Sequence, residues 1–289
     1  MDYLAQLQKG INYIETRLDG PIALEDVARE AGMSQWHFQR IFKALTNETL
    51  KTYIRLRRLS MAFEKIISTD ARLIDVALEA GFESQESFTR AFHTVFGITP
   101  AEARKLKHRN PFIEKVELSA DYLKHINTQV SLEPQIIQKP AMTLIGMRTR
   151  FYGVESDKNN IADKLPPLWD VFLARRSEVD HMIAGVGYGV VQQSVDDTDE
   201  LEYLAATPVH CVDKIPQDME VLKLPAAKYA RFSHRGLARE INNTVNYVYS
   251  NWLLTSGHRH TNEADIEVYG EFYQPDSEHS LIHYEIPIA

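Results

Sequence analysis

One stretch of this chain occurs twice. Residues 24–42 read LEDVAREAGMSQWHFQRIF, and residues 73–92 read LIDVALEAGFESQESFTRAF. Leu24, Asp26, Val27, Ala28, Glu30, Ala31 and Gly32 recur as Leu73, Asp75, Val76, Ala77, Glu79, Ala80 and Gly81. After the glycine the second copy gains one residue, and Ser34, Gln35, Phe38, Arg40 and Phe42 then recur as Ser84, Gln85, Phe88, Arg90 and Phe92. A pattern kept on both sides of a glycine turn predicts a helix, a tight turn and a second helix in each copy.

Helical periodicity surrounds the two copies. Leu4, Leu7, Ile11, Ile14 and Leu18 fall at spacings of three and four, which predicts a first helix over 2–18 ended by Gly20-Pro21. Leu24–Ala31 and Ser34–Leu45 form the first pair, with Ser34 as N-cap. Residues 48–67 predict one long helix with Met61 on its apolar face. Arg55, Arg57 and Arg58 lie largely off that face, where they either meet phosphate or are simply solvated. The second pair runs from Leu73 to Phe96. A short helix over 100–107, opened by Pro100, closes an all-α domain over 1–107.

Residues 108–127 read as a linker, with a helix considered at 119–126. From about residue 130 the pattern changes to short runs rich in Val, Ile, Tyr and Phe separated by turn residues. Strands are expected within 135–151, 183–193, 202–210, 219–234, 265–273 and 280–288, with helices at 160–176 and 237–255. This α+β domain over 128–289 therefore reads as two strand-helix-strand-strand units. Each has a Trp late in its helix and a Tyr-Gly pair in the next strand, Tyr188-Gly189 and Tyr269-Gly270.

The second helix of such a pair can enter the major groove, where Arg bonds guanine and Gln bonds adenine in bidentate fashion. Gln35, Trp36, Gln39, Arg40 and Lys43 lie off the apolar face in the first copy. Gln85, Glu86, Thr89, Arg90 and His93 are their counterparts. A linking helix of ~20 residues spans ~30 Å, close to the ~34 Å between major-groove segments on one face of B-DNA. One chain can thus place two unlike helices in successive grooves of an asymmetric site. The net charge of −8 divides into +1 over residues 1–107 and −9 beyond them, and argues against polyanion binding by the whole surface.

Several functions are set aside. No apolar run approaches bilayer-spanning length, and the N-terminus does not read as a signal peptide, so no membrane partner is expected and the cytoplasm is the expected location. A single cysteine, Cys211, excludes a disulfide framework and a multi-Cys zinc site, and is expected to be buried or half-buried. His258, His260, His279 and His283 are read as surface residues. No catalytic or metal site and no cofactor is assigned. The closely spaced glycines of GVGYG (185–189) lack the spacing of a nucleotide loop.

The doubled helix-turn-helix, with YIRLRRL in the linking helix and the closing FGITPAEARK, resembles the AraC/XylS family of bacterial transcription regulators. That resemblance implies that Trp36, Gln39, Arg40, Gln85, Thr89 and Arg90 contact DNA. Glu86 departs from the Gln that relatives often carry. LWDVFL around Trp169, ELEYLAA, KYARFSHRG, DIEVYGEFY and HYEIPIA resemble GyrI-like effector-binding domains, in which two related units face a ligand cleft. The resemblance carries a ligand-facing carboxylate to Glu267. Trp169, Tyr188, Tyr203, Trp252, Tyr269 and Phe272 are candidate aromatic walls, and an anion beside ring faces suits an organic cation. The expected function is a sequence-specific activator that binds double-stranded DNA and RNA polymerase and is modulated by a small amphipathic effector. Two alternatives concern the second domain: a hydrolase using Glu267 with Tyr269, or a protein-interaction module without a ligand.

Overall fold

A computed structural model describes residues 3–106, 115–116, 133–194 and 199–289. The chain forms two compact units, one within Asp2–Tyr122 and one within Leu123–Ala289. The linker expected over 108–127 lies outside the described residues apart from 115–116, as does the helix considered at 119–126.

The first unit holds α1 (Tyr3–Glu15), α2 (Leu24–Glu30), α3 (Gln35–Thr46), α4 (Leu50–Ser68), α5 (Leu73–Glu79), α6 (Gln85–Phe96) and α7 (Pro100–Leu106). Gly32 and Gly81 supply the left-handed backbone of the two turns, at φ 69° and 81°. Ser34 Oγ accepts the His37 N–H at the start of α3, and Ser84 Oγ accepts the Ser87 N–H at the start of α6. The repeated serine is therefore an N-cap in both copies.

The long helix α4 supplies core to both pairs. Tyr53, near its N-terminus, packs against Phe42 of α3, with ring centroids 5.3 Å apart. Further along, Leu59, Ala62, Phe63 and Ile66 form one core with Val76, Ala77, Phe88, Phe92 and Ala103. Each large apolar side chain buried this way contributes roughly 1.5–3 kcal/mol. Met61 does not share that face: it is 46% exposed, because the helical period from Leu59, Ala62 and Phe63 turns position 61 outward. Arg57 and Arg58 also depart from expectation. Arg57 donates to Glu15 of α1 at 2.7 and 2.9 Å, and Tyr53 Oη donates to the same carboxylate at 2.7 Å. Arg58 donates to the backbone carbonyls of Leu18 and Gly20. Both arginines tie α4 to α1 and its following turn, while Arg55 stays exposed.

The second unit is one antiparallel sheet of β1 (Gln135–Lys139), β2 (Met142–Phe151), β3 (Gly187–Gln193), β4 (Leu201–Val209), β5 (Glu220–Leu224), β6 (Ala227–Arg235), β7 (Asp265–Tyr269) and β8 (Leu281–Pro287), with α8 (Ile161–Arg175) after β2. After β6 comes α9, which combines Ile241–Tyr247, a π-type turn at Val248–Trp252 and Leu253–Thr255. The strand order is β1-β6-β8-β7-β3-β4-β2-β5. Reading it from either end exchanges β1 with β5, β6 with β2, β8 with β4 and β7 with β3. The two halves are thus related about the central β3–β7 pair, and each contributes its first strand to the other half's edge.

Register fixes which side chains meet. Gly189 lies opposite Glu267 on one side and Ala205 on the other, and Glu267 lies opposite Tyr284. Directly paired residues share a face, and adjacent residues along a strand do not. Tyr269 pairs with Gly187, whereas Tyr188 pairs with Val268. The two Tyr-Gly pairs are therefore not equivalent, because Tyr188 and Tyr269 occupy opposite faces of the sheet.

Candidate effector site and candidate DNA-reading helices

Glu267 anchors a cluster on the face that carries Tyr203 and Tyr269. Its Oε2 accepts the Tyr203 hydroxyl at 2.6 Å and the Tyr269 hydroxyl at 2.8 Å. Trp169 of α8 donates its indole N–H to Tyr203 Oη at 3.0 Å. The Trp169 ring meets Tyr269 edge-on at 5.0 Å, and Tyr273 also meets Tyr269 edge-on, at 4.8 Å. Phe151 packs edge-on against Tyr203 at 6.1 Å. Glu267 is buried and Trp169 is half-buried. Burial pushes the Tyr203 and Tyr269 hydroxyls well above the usual tyrosine range, and the nearby Glu267 carboxylate adds to the shift. Both therefore stay protonated at neutral pH and serve as hydrogen-bond donors to Glu267.

The space for this cluster comes from glycines. A Cβ at position 189 would lie 2.0 Å from Tyr203 Oη and 2.8 Å from Glu267 Oε2. At Gly187 it would lie 3.4 Å from the Trp169 ring. The GVGYG stretch, set aside as a nucleotide loop, runs into β3, and its Gly187 and Gly189 are the positions on which the cluster rests. Neither residue type nor the resemblance points to Gly187, Gly189, Phe151 or Tyr273, although the alternating glycines of that strand signal a close approach.

Other expected wall residues go elsewhere. Tyr188 packs in the core of the opposite face, with the Lys139 ammonium 5.0 Å from its ring centroid. Lys139 in turn bonds the buried Glu285 carboxylate at 2.5 Å, and Arg231 bonds it at 2.7 Å. Trp252 packs on Phe232 at 5.2 Å and stacks on His258 at 5.6 Å. Phe272 is 66% exposed. His260 is not on the surface: it is buried, and its Nε2 lies 2.9 Å from Asp265. Asp265 also accepts the hydroxyls of Tyr249 and Tyr284. A fully buried carboxylate demands such partners, which explains why a His next to a turn is drawn inward.

On the second helix of the second pair, Gln85, Glu86, Arg90 and His93 of α6 are exposed. Thr89 is half-buried, and its hydroxyl donates to the Gln85 carbonyl at 2.7 Å. On α3 the matching side chains differ. Gln35, Trp36, Gln39 and Arg40 are buried, and Lys43 is half-buried with its ammonium on the Asn47 carbonyl at 2.7 Å. Tyr3 of α1 covers the neighbouring His37, with ring centroids 6.0 Å apart.

Comparison with known proteins follows the same division. A helix-turn-helix domain model matches residues 27–106, and the model of the integron-associated effector binding protein matches 135–288. The regulatory protein SoxS of Escherichia coli is 36% identical over 104 residues, covering 36% of this chain and 97% of SoxS. The chain belongs to the AraC family of transcription regulators. The transcriptional regulator Rob of Salmonella typhimurium shares both parts of the AraC-family chain, at 28% identity over 271 residues, 93% of this chain and 91% of Rob. Among solved structures, SAV2435 bound to tetraphenylphosphonium aligns at a TM-score of 0.44 and 16% identity, over 54% of this chain and 94% of that one. This AraC-family protein is a DNA-binding transcription regulator with an effector-binding second domain. No helix among its described residues is long and apolar enough to cross a membrane.

Proposed function

We propose that this regulator activates transcription in the cytoplasm from an asymmetric promoter site. In this reading α3 and α6 enter successive major grooves, RNA polymerase is the protein partner, and an amphipathic organic cation bound at Glu267 is the effector. The observation that carries the effector assignment is a buried carboxylate held by two tyrosine hydroxyls at the foot of an aromatic wall. A cation there gains charge attraction from Glu267 and ring-face attraction worth about 0.5–2 kcal/mol per ring. With Trp169 and Tyr269 centroids 5.0 Å apart, no ring fits between them, so entry requires Trp169 to swing outward. The half-buried position of Trp169 on α8 permits that movement. Reading bases with α3 requires Gln35, Trp36, Gln39 and Arg40 to be uncovered, whereas α6 already presents Gln85, Glu86 and Arg90.

The test is a thermal-shift series with amphipathic cations, tetraphenylphosphonium among them, on wild type and Glu267→Gln. The variant keeps the shape and removes the charge. Wild type should be stabilised in a dose-dependent way, with Glu267→Gln binding at least tenfold more weakly, ~1.4 kcal/mol. Equal shifts in the two proteins would remove Glu267 from the site. No shift with any cation would favour a ligand-free interaction module.

A further inference from the structure

A second ligand-type cluster lies apart from the Glu267 aromatics. His181 precedes β3, and Cys211 and Asp213 follow β4. One ligand atom from each of His181, Cys211 and Asp213 lies within 4.8 Å of the other two. His181 Nε2 and Asp213 Oδ2 are already 2.7 Å apart. The backbone beneath them is tied: Ile183 N–H donates to the Pro208 carbonyl at 2.8 Å, and His210 N–H donates to the His181 carbonyl at 3.0 Å. Met182 and Val209 form a bridge between these bonds. His181 itself is held at φ 57°, a left-handed conformation that a histidine adopts at some cost. Cys211 is exposed rather than buried, so its thiol is accessible from solvent.

We infer that His181, Cys211 and Asp213 bind a divalent transition-metal ion of the zinc class. The three donors, imidazole nitrogen, thiolate and carboxylate, are the types that zinc takes, with bonds of about 2.0–2.3 Å. A tetrahedral ion with bonds of that length separates its ligand atoms by roughly 3.3–3.8 Å. The His181–Asp213 pair would open slightly and the third donor would close in, a change within reach of side-chain rotation. On binding, the Cys211 thiol gives its proton to solvent and the thiolate bonds the metal. Three protein ligands leave the fourth position to water. Bound metal would join the segment before β3 to the segment after β4, on the same two strands that carry Gly189 and Tyr203. The other reading of the cluster is an exposed His–Asp hydrogen bond beside an unrelated thiol, and it predicts no thiolate bond to metal.

Cobalt(II) separates the two readings in the intact chain. Because Cys211 is the sole cysteine, any thiolate-to-cobalt charge-transfer band comes from it. The expected result is a band that saturates at about one Co²⁺ per chain, bleaches when Zn²⁺ displaces the cobalt, and is absent in Cys211→Ser. His181→Ala and Asp213→Asn should each weaken cobalt binding at least tenfold. All three side chains are exposed, so circular dichroism of these variants should match wild type. Absence of the band with cobalt in excess would overturn the site. So would a band whose titration is unchanged in both His181→Ala and Asp213→Asn, since cobalt would then be bound by the thiol alone.

Discussion

A methyl group added at position 189 would lie 2.0 Å from the Tyr203 hydroxyl oxygen, well inside contact distance. Tyr203 is fully buried and hydrogen-bonded to Glu267 and Trp169, so it cannot retreat without breaking those bonds. Gly189→Ala should therefore destabilise the protein by about 1–3 kcal/mol and abolish the cation-dependent thermal shift. Gly187→Ala, whose added carbon meets Trp169 only at 3.4 Å, should cost less in the same denaturation measurement. Equal stabilities for wild type and Gly189→Ala would mean that the close packing over β3 is not what holds Glu267 in place. At this scale the sequence was only partly readable. The family resemblance points to Glu267 and residue type points to Trp169, Tyr203 and Tyr269, and the structure gathers these four. Tyr188 was selected on the same grounds and lies on the other face, because residue type does not fix the strand register that decides which face a side chain occupies.

The helices were legible because their signals are local. Apolar spacing, a serine at the N-cap of the second helix and a glycine in the turn occur within a few residues of one another, and the duplication states them twice. Ser84 Oγ accepts the Ser87 N–H at 3.1 Å in an exposed helix start. Ser84→Ala should cost about 1 kcal/mol, read as a lower denaturation midpoint, while Ser84→Asp should retain most of the stability. A midpoint unchanged in Ser84→Ala would show that α6 is held by packing of Phe88 and Phe92 alone. The arginines of α4 were less legible. In a basic run Arg57 and Arg58 read either as phosphate ligands or as solvated side chains, but their partners, Glu15 and the Leu18 and Gly20 carbonyls, stand about forty positions earlier. Contacts at that separation leave no periodic trace in a single sequence.

At the scale of the whole molecule the chain is built by doubling, once in helices and once in a sheet. In the sheet the copies meet edge to edge at β3 and β7, which puts Gly189 directly against Glu267 and builds the cluster on that central pair. In the helical unit the copies share α4, whose 19 residues span about 28 Å. The copies differ where side chains leave the core: Gln35-Trp36-His37 against Gln85-Glu86-Ser87. A monomer with two unlike reading heads is therefore expected on DNA. Hydroxyl-radical footprinting of the full chain on a selected promoter fragment, with the bound species sized in parallel, tests this most directly. One protomer should protect two successive major-groove segments on one face, about 34 Å apart, and Arg90→Ala should weaken protection in one segment more than in the other. A two-fold symmetric footprint that forms only with two protomers bound would contradict it.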